Sequence, residues 1–184
     1  NTVRRDPSGE VVGRGQPGRT GAHHRHPAAG RRAGDGRVEA GGARYEGDWK
    51  ADRKHGEGTY RTPDGTTYSG DWKSDQQTGQ GTLTTSDGSK YVGGFLNGKK
   101  SGKWVYYGPS GVPVEEGTYR GDLRDGIWKS YHPGGAINTQ GGYREDRMQG
   151  LWIYKDPDGR MLKKLEFEAG ALNGECSFFD NGRV

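Results

Sequence analysis

Tyr45-Glu46-Gly47-Asp48-Trp49-Lys50, Gly56-Glu57-Gly58-Thr59-Tyr60-Arg61 and Thr62-Pro63-Asp64-Gly65 together decide the fold. In the first segment a period of two puts Tyr45, Gly47 and Trp49 on one face and Glu46, Asp48 and Lys50 on the other, which predicts a β-strand. The second segment carries the strand formers Thr and Tyr and predicts a partner strand. Ala51 to His55 reads as a polar link between them. Pro63 and Asp64-Gly65 predict a tight turn after the second strand. The stretch is therefore a β-hairpin followed by a turn into another.

The hairpin recurs. An aromatic column, Trp49, Trp72, Phe95, Tyr119, Tyr143 and Phe167, advances in steps of 23, 23, 24, 24 and 24 residues. Seven residues after each aromatic stands a glycine: Gly56, Gly79, Gly102, Gly126, Gly150 and Gly174. A third column follows at Gly65, Gly88, Gly111, Gly135, Gly159 and Gly182. Three columns in one register mean stacked supersecondary units. Helix is excluded, because glycine costs about 1 kcal/mol at each interior position. The expected fold is all-β: an elongated, twisted, single-layer antiparallel array of six hairpins over residues 43–184. Two strands per unit at about 4.8 Å give roughly 9–10 Å per repeat.

Composition agrees with a thin sheet preceded by an arm. Only 28% of the chain is hydrophobic, and 36 of its 184 residues are glycine, too little apolar volume for an ordinary globule of this length. Residues 1–42 are rich in Arg, Gly and Pro, contain no aromatic, and read as an extended or disordered arm. The excess positive charge sits there: up to Ala43 there are eight arginines against four acids, and beyond it 20 basic residues face 20 acidic ones. Gly13, Gly15 and Gly18 spell G-x-G-x-x-G, but Pro17 lies inside the motif and no strand or helix pattern flanks it. His23, His24 and His26 have no second ligand set, so no metal is expected.

Glycine beside the aromatics has a steric reading. A ring lying flat on a strand needs an empty neighbour, and Gly47, Gly70, Gly93, Gly58 and Gly81 offer one. Rings of successive units are then expected to stack as a ladder. Halfway along the chain the pattern changes. Tyr45, Tyr68 and Tyr91 give way to Glu115, Thr139 and Lys163, while bulky residues arise on the second strand at Trp104, Trp128 and Trp152, with Phe178 in the last unit. These four are expected to pack the sheet. Leu151-Trp152-Ile153-Tyr154 is apolar on both faces, so the second half is expected to meet a partner or a second copy on its other face.

The segments Tyr45-Glu-Gly-Asp-Trp-Lys with Gly56-Glu-Gly-Thr-Tyr, and Tyr68-Ser-Gly-Asp-Trp-Lys with Gly79-Gln-Gly-Thr-Leu, closely resemble MORN repeats (membrane occupation and recognition nexus). Tyr91-Val-Gly-Gly-Phe95 resembles a third, with Trp104 where glycine is typical. Units four to six resemble a divergent variant with a Gly-x-Trp-x-x-Tyr core, as in Gly126-Ile-Trp128-Lys-Ser-Tyr131. The resemblance implies a groove, lined by aromatic and glycine columns, that grips a partner segment. Carried onto this chain, the groove residues are Tyr45, Trp49, Tyr68, Trp72, Tyr91, Phe95, Tyr119 and Tyr143. Members of the family occur in ciliary radial-spoke components, junction proteins, lipid kinases and a lysine methyltransferase. The catalytic domains of the last two lie outside the repeats.

The chemistry of the chain points the same way. An enzyme needs converging acid, base or nucleophile groups. His55 and His132 belong to unrelated units, Asp48/Asp71 and Asp64/Asp87 recur only because the scaffold recurs, and Cys176 has no basic neighbour in sequence. The expectation is a non-catalytic structural subunit that binds proteins of a larger complex, with no cofactor and no small-molecule substrate. The alternatives are an adaptor holding anionic phospholipid, or an RNA-contacting component led by the arm. Arg4, Arg5, Arg31, Arg32, Lys99 and Lys100 are the candidate contacts to an anionic partner. A single cysteine favours a reducing, intracellular setting, and the family resemblance puts cytoskeletal or ciliary assemblies first. The Arg-rich N-terminus superficially resembles a transit peptide, which makes a mitochondrial complex the second choice.

Overall fold

The computed structural model of the chain describes residues 37–39 and 41–179. Fourteen strands among them form one sheet, each antiparallel to the strands it pairs with. A short β1 (Arg37–Val38) precedes the hairpin β2–β3 (Arg44–Lys50, Arg53–Arg61). Then come β4–β5 (Thr67–Lys73, Gln76–Thr84) and β6–β7 (Lys90–Leu96, Lys99–Tyr107). In the fourth unit β8 (Pro113–Arg120) is answered by β9 (Leu123–Arg124) and β10 (Gly126–Tyr131). β11–β12 (Ile137–Arg144, Arg147–Lys155) and β13–β14 (Met161–Glu168, Ala171–Phe178) complete the array. The predicted all-β meander is therefore the observed fold. Its first strand lies inside the stretch assigned to the arm, because Arg37 and Val38 pair with Tyr45 and Arg44.

Local chemistry explains the hairpins. The polar link expected over Ala51–His55 is shorter than it reads. Ala51 and Asp52 alone make the turn, with φ of 48° and 56°, and β3 begins at Arg53. Two successive residues with positive φ match the twist of the flanking strands. Ser74–Asp75, Asn97–Gly98, Gly121–Asp122, Glu145–Asp146 and Ala169–Gly170 repeat that geometry. Each turn is also clasped to the unit before it. The Asp75 N–H donates to the Lys54 carbonyl, Gly98 to Gln77, Asp122 to Lys100, Asp146 to Arg124 and Gly170 to Met148, at 2.9–3.0 Å. At the other end, Thr62-Pro63-Asp64-Gly65 is the expected turn, closed by the Gly65 N–H on the Thr62 carbonyl.

The core is one row of rings on one face. Tyr45 and Tyr68 are 0% and 2% exposed, and Trp72, Trp104, Trp128 and Trp152 are 3–6% exposed. Burial of each such ring stabilises by about 1.5–3 kcal/mol. Five of these six rings, all but Trp72, lie in slots that glycine keeps open. A Cβ on Gly58 or Gly81 would meet the Tyr45 or Tyr68 ring, and one on Gly93, Gly117 or Gly141 would meet the indole of Trp104, Trp128 or Trp152, all under 3.0 Å. Polar tips are satisfied as well. The Tyr45 hydroxyl donates to the Asp48 carbonyl at 3.1 Å. The Trp104, Trp128 and Trp152 indoles donate to the carbonyls of Gly94, Thr118 and Gly142 at 3.0–3.1 Å.

The changeover seen in the sequence is thus a change in which strand fills the slot. In the first two units a tyrosine of the first strand lies over a glycine of the second. In β6–β7, β8–β10 and β11–β12 a tryptophan of the second strand lies over a glycine of the first. Replacing Gly141 by Ala puts a methyl group inside the Trp152 ring and is expected to lower unfolding free energy by about 1–3 kcal/mol. Gly134→Ala, at a position with open space, is the control and is expected to be near neutral. Equal melting temperatures for the two variants in thermal denaturation would contradict the slot.

Candidate functional site

The row of rings is continuous. Trp49, Tyr45, Trp72, Tyr68, Phe95, Trp104, Tyr119, Trp128, Tyr143 and Trp152 follow one another with centroids 4.9–6.1 Å apart and interplanar angles of 80–89°. Stacking was the expectation for this ladder; the contacts are edge-to-face. Aromatic quadrupoles favour that arrangement, and each such pair contributes about 0.5–1.5 kcal/mol beyond area burial. Tyr91 and Tyr106 are instead stacked at 4.5 Å and 20°, and Trp152 and Tyr154 are tilted at 37°.

The structure joins residues that sequence reasoning had put in two groups. Tyr45, Tyr68 and Trp72, assigned to the groove, are buried in the core beside Trp104, Trp128 and Trp152. Trp49, Tyr91, Phe95, Tyr119 and Tyr143 are half-buried and keep part of their surface in water. Phe178, expected to pack the sheet, is 66% exposed, because it stands on β14, the last described strand. Ile127 and Leu151 stand on the opposite face, 57% and 50% exposed. Lys100 lies on the aromatic face, whereas Lys99 is exposed beside the turn between β6 and β7. Arg4, Arg5, Arg31, Arg32, the histidine cluster and the G-x-G-x-x-G motif lie outside the described residues.

A cleft of about 170 Å³ opens where the slot changes hands, lined by Tyr91, Lys100, Trp104, Tyr106, Glu115 and Tyr119 among others. Its origin is steric. Trp104 fills the slot at Gly93, so Tyr91 is no longer needed there and stacks instead on its cross-strand partner Tyr106. In the next unit Glu115 takes the place of that tyrosine, and it lines the cleft without filling it.

Cations occupy the aromatic face in a way the sequence did not reveal. The Lys54 ammonium lies 4.6 Å from the Tyr60 ring centroid and 5.1 Å from that of Trp72. Lys100 lies 4.9 Å from Tyr119 and 5.1 Å from Trp104. The Arg124 guanidinium is 4.0 Å from Tyr143. Such contacts contribute about 0.5–1 kcal/mol at exposed sites. The only clue in sequence is positional, since each cation lies opposite the aromatic column: Lys54 pairs Trp49, Lys100 pairs Phe95 and Arg124 pairs Tyr119. Among the described residues no group of three or more His, Cys, Asp or Glu could hold a metal.

Burial pushes the Glu115 carboxyl above the ordinary glutamate range, and the nearby Arg124 charge partly opposes it. A group whose pKa rises on folding favours the folded state while protonated and loses that contribution as pH rises through the folded pKa. At neutral pH the ionised Glu115 therefore destabilises the sheet. Glu115→Gln is expected to raise the melting temperature at pH 7 and to have less effect near pH 4. An equal effect at both values, or a lower melting temperature at pH 7, would contradict the assignment.

The MORN repeat family matches the chain in three consecutive stretches, residues 45–67, 68–90 and 91–112. No curated protein matches it. Each matched stretch opens on the first-strand tyrosine, Tyr45, Tyr68 or Tyr91, and the match ends just before Glu115 replaces it. Beyond that point the hairpins and glycine slots continue with tryptophan as the filler. The repeat is commonly a protein-binding or membrane-binding scaffold module, typically without catalytic activity. Residues 45–112 thus match three consecutive MORN repeats, consistent with a MORN-repeat protein.

Proposed function

We propose that this chain is a non-catalytic scaffold subunit whose aromatic face holds a segment of a protein partner within a larger assembly. One observation carries the reading. The sheet has a single layer, yet one face presents half-buried rings, Tyr91, Tyr106 and Tyr119, around an open cleft. Covering such rings gains about 25 cal/mol per Å² of apolar surface, and aromatic side chains dominate binding energy at protein interfaces.

Charge favours protein over anionic membrane as the partner. Lys54 and Arg124 on this face are already paired, with Glu39 at 2.8 Å and Asp146 at 3.1 Å, and Glu115 shares the cleft with Lys100. Beyond Ala43 the 20 basic residues are matched by 20 acidic ones, so the repeats offer no net positive charge to a lipid surface, whose attraction grows with each unpaired cation. The RNA reading depends on the arginines of the arm, which lie outside the described residues. The compartment we propose is intracellular, with cytoskeletal or ciliary assemblies first and a mitochondrial complex second. It rests on the family resemblance and the single cysteine.

The test uses the paired rings that the fold does not need in its slots. Tyr91→Ala with Tyr106→Ala is expected to abolish partner recovery in affinity capture while leaving the far-ultraviolet circular dichroism spectrum near that of the parent. Ile127→Ala, on the opposite face, is expected to retain the partner. Full recovery by the double variant would overturn the proposal.

A further inference from the structure

We propose that Lys100 is a receptor for a carboxylate and that the partner segment docking over the cleft is an acidic peptide. This rests on the docking face above and specifies its chemistry. The chain contains its own template. Lys54 and Lys100 hold equivalent places in their hairpins, each opposite the aromatic column. The backbone N–H of each donates to an aspartate of the following turn, Lys54 to Asp75 at 2.8 Å and Lys100 to Asp122 at 2.7 Å. Each ammonium lies over three rings: Tyr45, Tyr60 and Trp72 in the first case, Tyr91, Trp104 and Tyr119 in the second.

The two sites differ in one respect. Lys54 donates to the Glu39 carboxylate at 2.8 Å, and Glu39 directly follows β1. The Lys54 side chain is left 12% exposed by that contact. Lys100 makes no ion pair among the described residues, although Glu115 lines the same cleft. Arg124, the next cation of the column, bonds Asp146 and the Tyr143 hydroxyl. Lys100 is therefore an ammonium partly stripped of water by rings and facing an open cleft. Charge-assisted bonds in such surroundings are strong, and a carboxylate from outside would complete Lys100 as Glu39 completes Lys54. Among the described residues before β2 the one carboxylate, Glu39, is already engaged by Lys54. A cleft of about 170 Å³ suits a side chain better than a lipid surface.

The full chain is incubated with a short synthetic peptide of alternating Glu and Ser, and with its Gln counterpart, under a carbodiimide that joins carboxylates to amines at zero length. Peptide mapping by mass spectrometry is expected to place the Glu peptide on Lys100 in preference to the more exposed Lys99, with the Lys54–Glu39 bond as internal control. Lys100→Gln is expected to weaken peptide binding about tenfold, and Lys99→Gln less than about twofold. The Gln peptide is expected to bind the parent chain no better than the Glu peptide binds Lys100→Gln. Adducts spread over all exposed lysines would overturn the proposal. So would Lys100 joined to a carboxylate of its own chain, or Lys100-dependent sedimentation with phosphatidylserine vesicles in the absence of peptide binding. The map on the parent chain decides the matter even where Lys100→Gln does not fold. Should the acidic probe fail while the Tyr91/Tyr106 double variant still loses its partner, only the acidic chemistry is wrong. Should both fail, the docking face itself is wrong.

Discussion

A ring laid flat on a β-strand needs the opposite residue to have no side chain, and the rest of this molecule depends on that steric constraint. Tyr45 lies against Gly58, Tyr68 against Gly81, and Trp104, Trp128 and Trp152 against Gly93, Gly117 and Gly141. Glycine weakens a strand by its entropy and its lack of packing surface. Here the lost packing returns as a buried ring, so the cost is offset within the same hairpin. A sheet with no second layer thus acquires a core.

From the slot follows the continuity of the array. A ring lying flat presents its edge to the aromatic of the next unit, and the contacts run unbroken from Trp49 to Trp152. The turns reinforce this nearest-neighbour coupling, because each donates a backbone bond to the preceding hairpin. Stability in such an array is a sum of unit and interface contributions. A change in how the slot is filled is therefore a local event. At the one place where filling passes from tyrosine to tryptophan, Tyr91 is displaced, Glu115 enters, and a cleft with a ring-backed lysine opens.

The hairpins, their repeat period and the slot glycines were legible in sequence, because side-chain period and steric exclusion act within one strand pair. Gly47, Gly58 and Gly93 announce a ring before its neighbour is known. The edge-to-face geometry was not legible, since it depends on how rings of adjacent units meet. Nor was the burial of Tyr45 and Tyr68, which the family resemblance placed in a groove and whose hydroxyls donate to carbonyls of Asp48 and Asp71. The turns at Ala51–Asp52 and Glu145–Asp146 hid because neither pair contains glycine. Glu39 reaches Lys54 only because β1 returns the chain to the sheet, and two residues of Arg-Val carry almost no strand signal.

The dependence of ring on glycine is measured most directly by a double-mutant cycle on Gly117 and Trp128, read as unfolding free energy in denaturant. Alanine at position 117 should cost about 1–3 kcal/mol with the indole in place and close to nothing once Trp128 is replaced by Leu, so that the two changes couple strongly. An alanine cost that is the same in both backgrounds would mean that ring and glycine act independently, and the slot would not be what holds this sheet together.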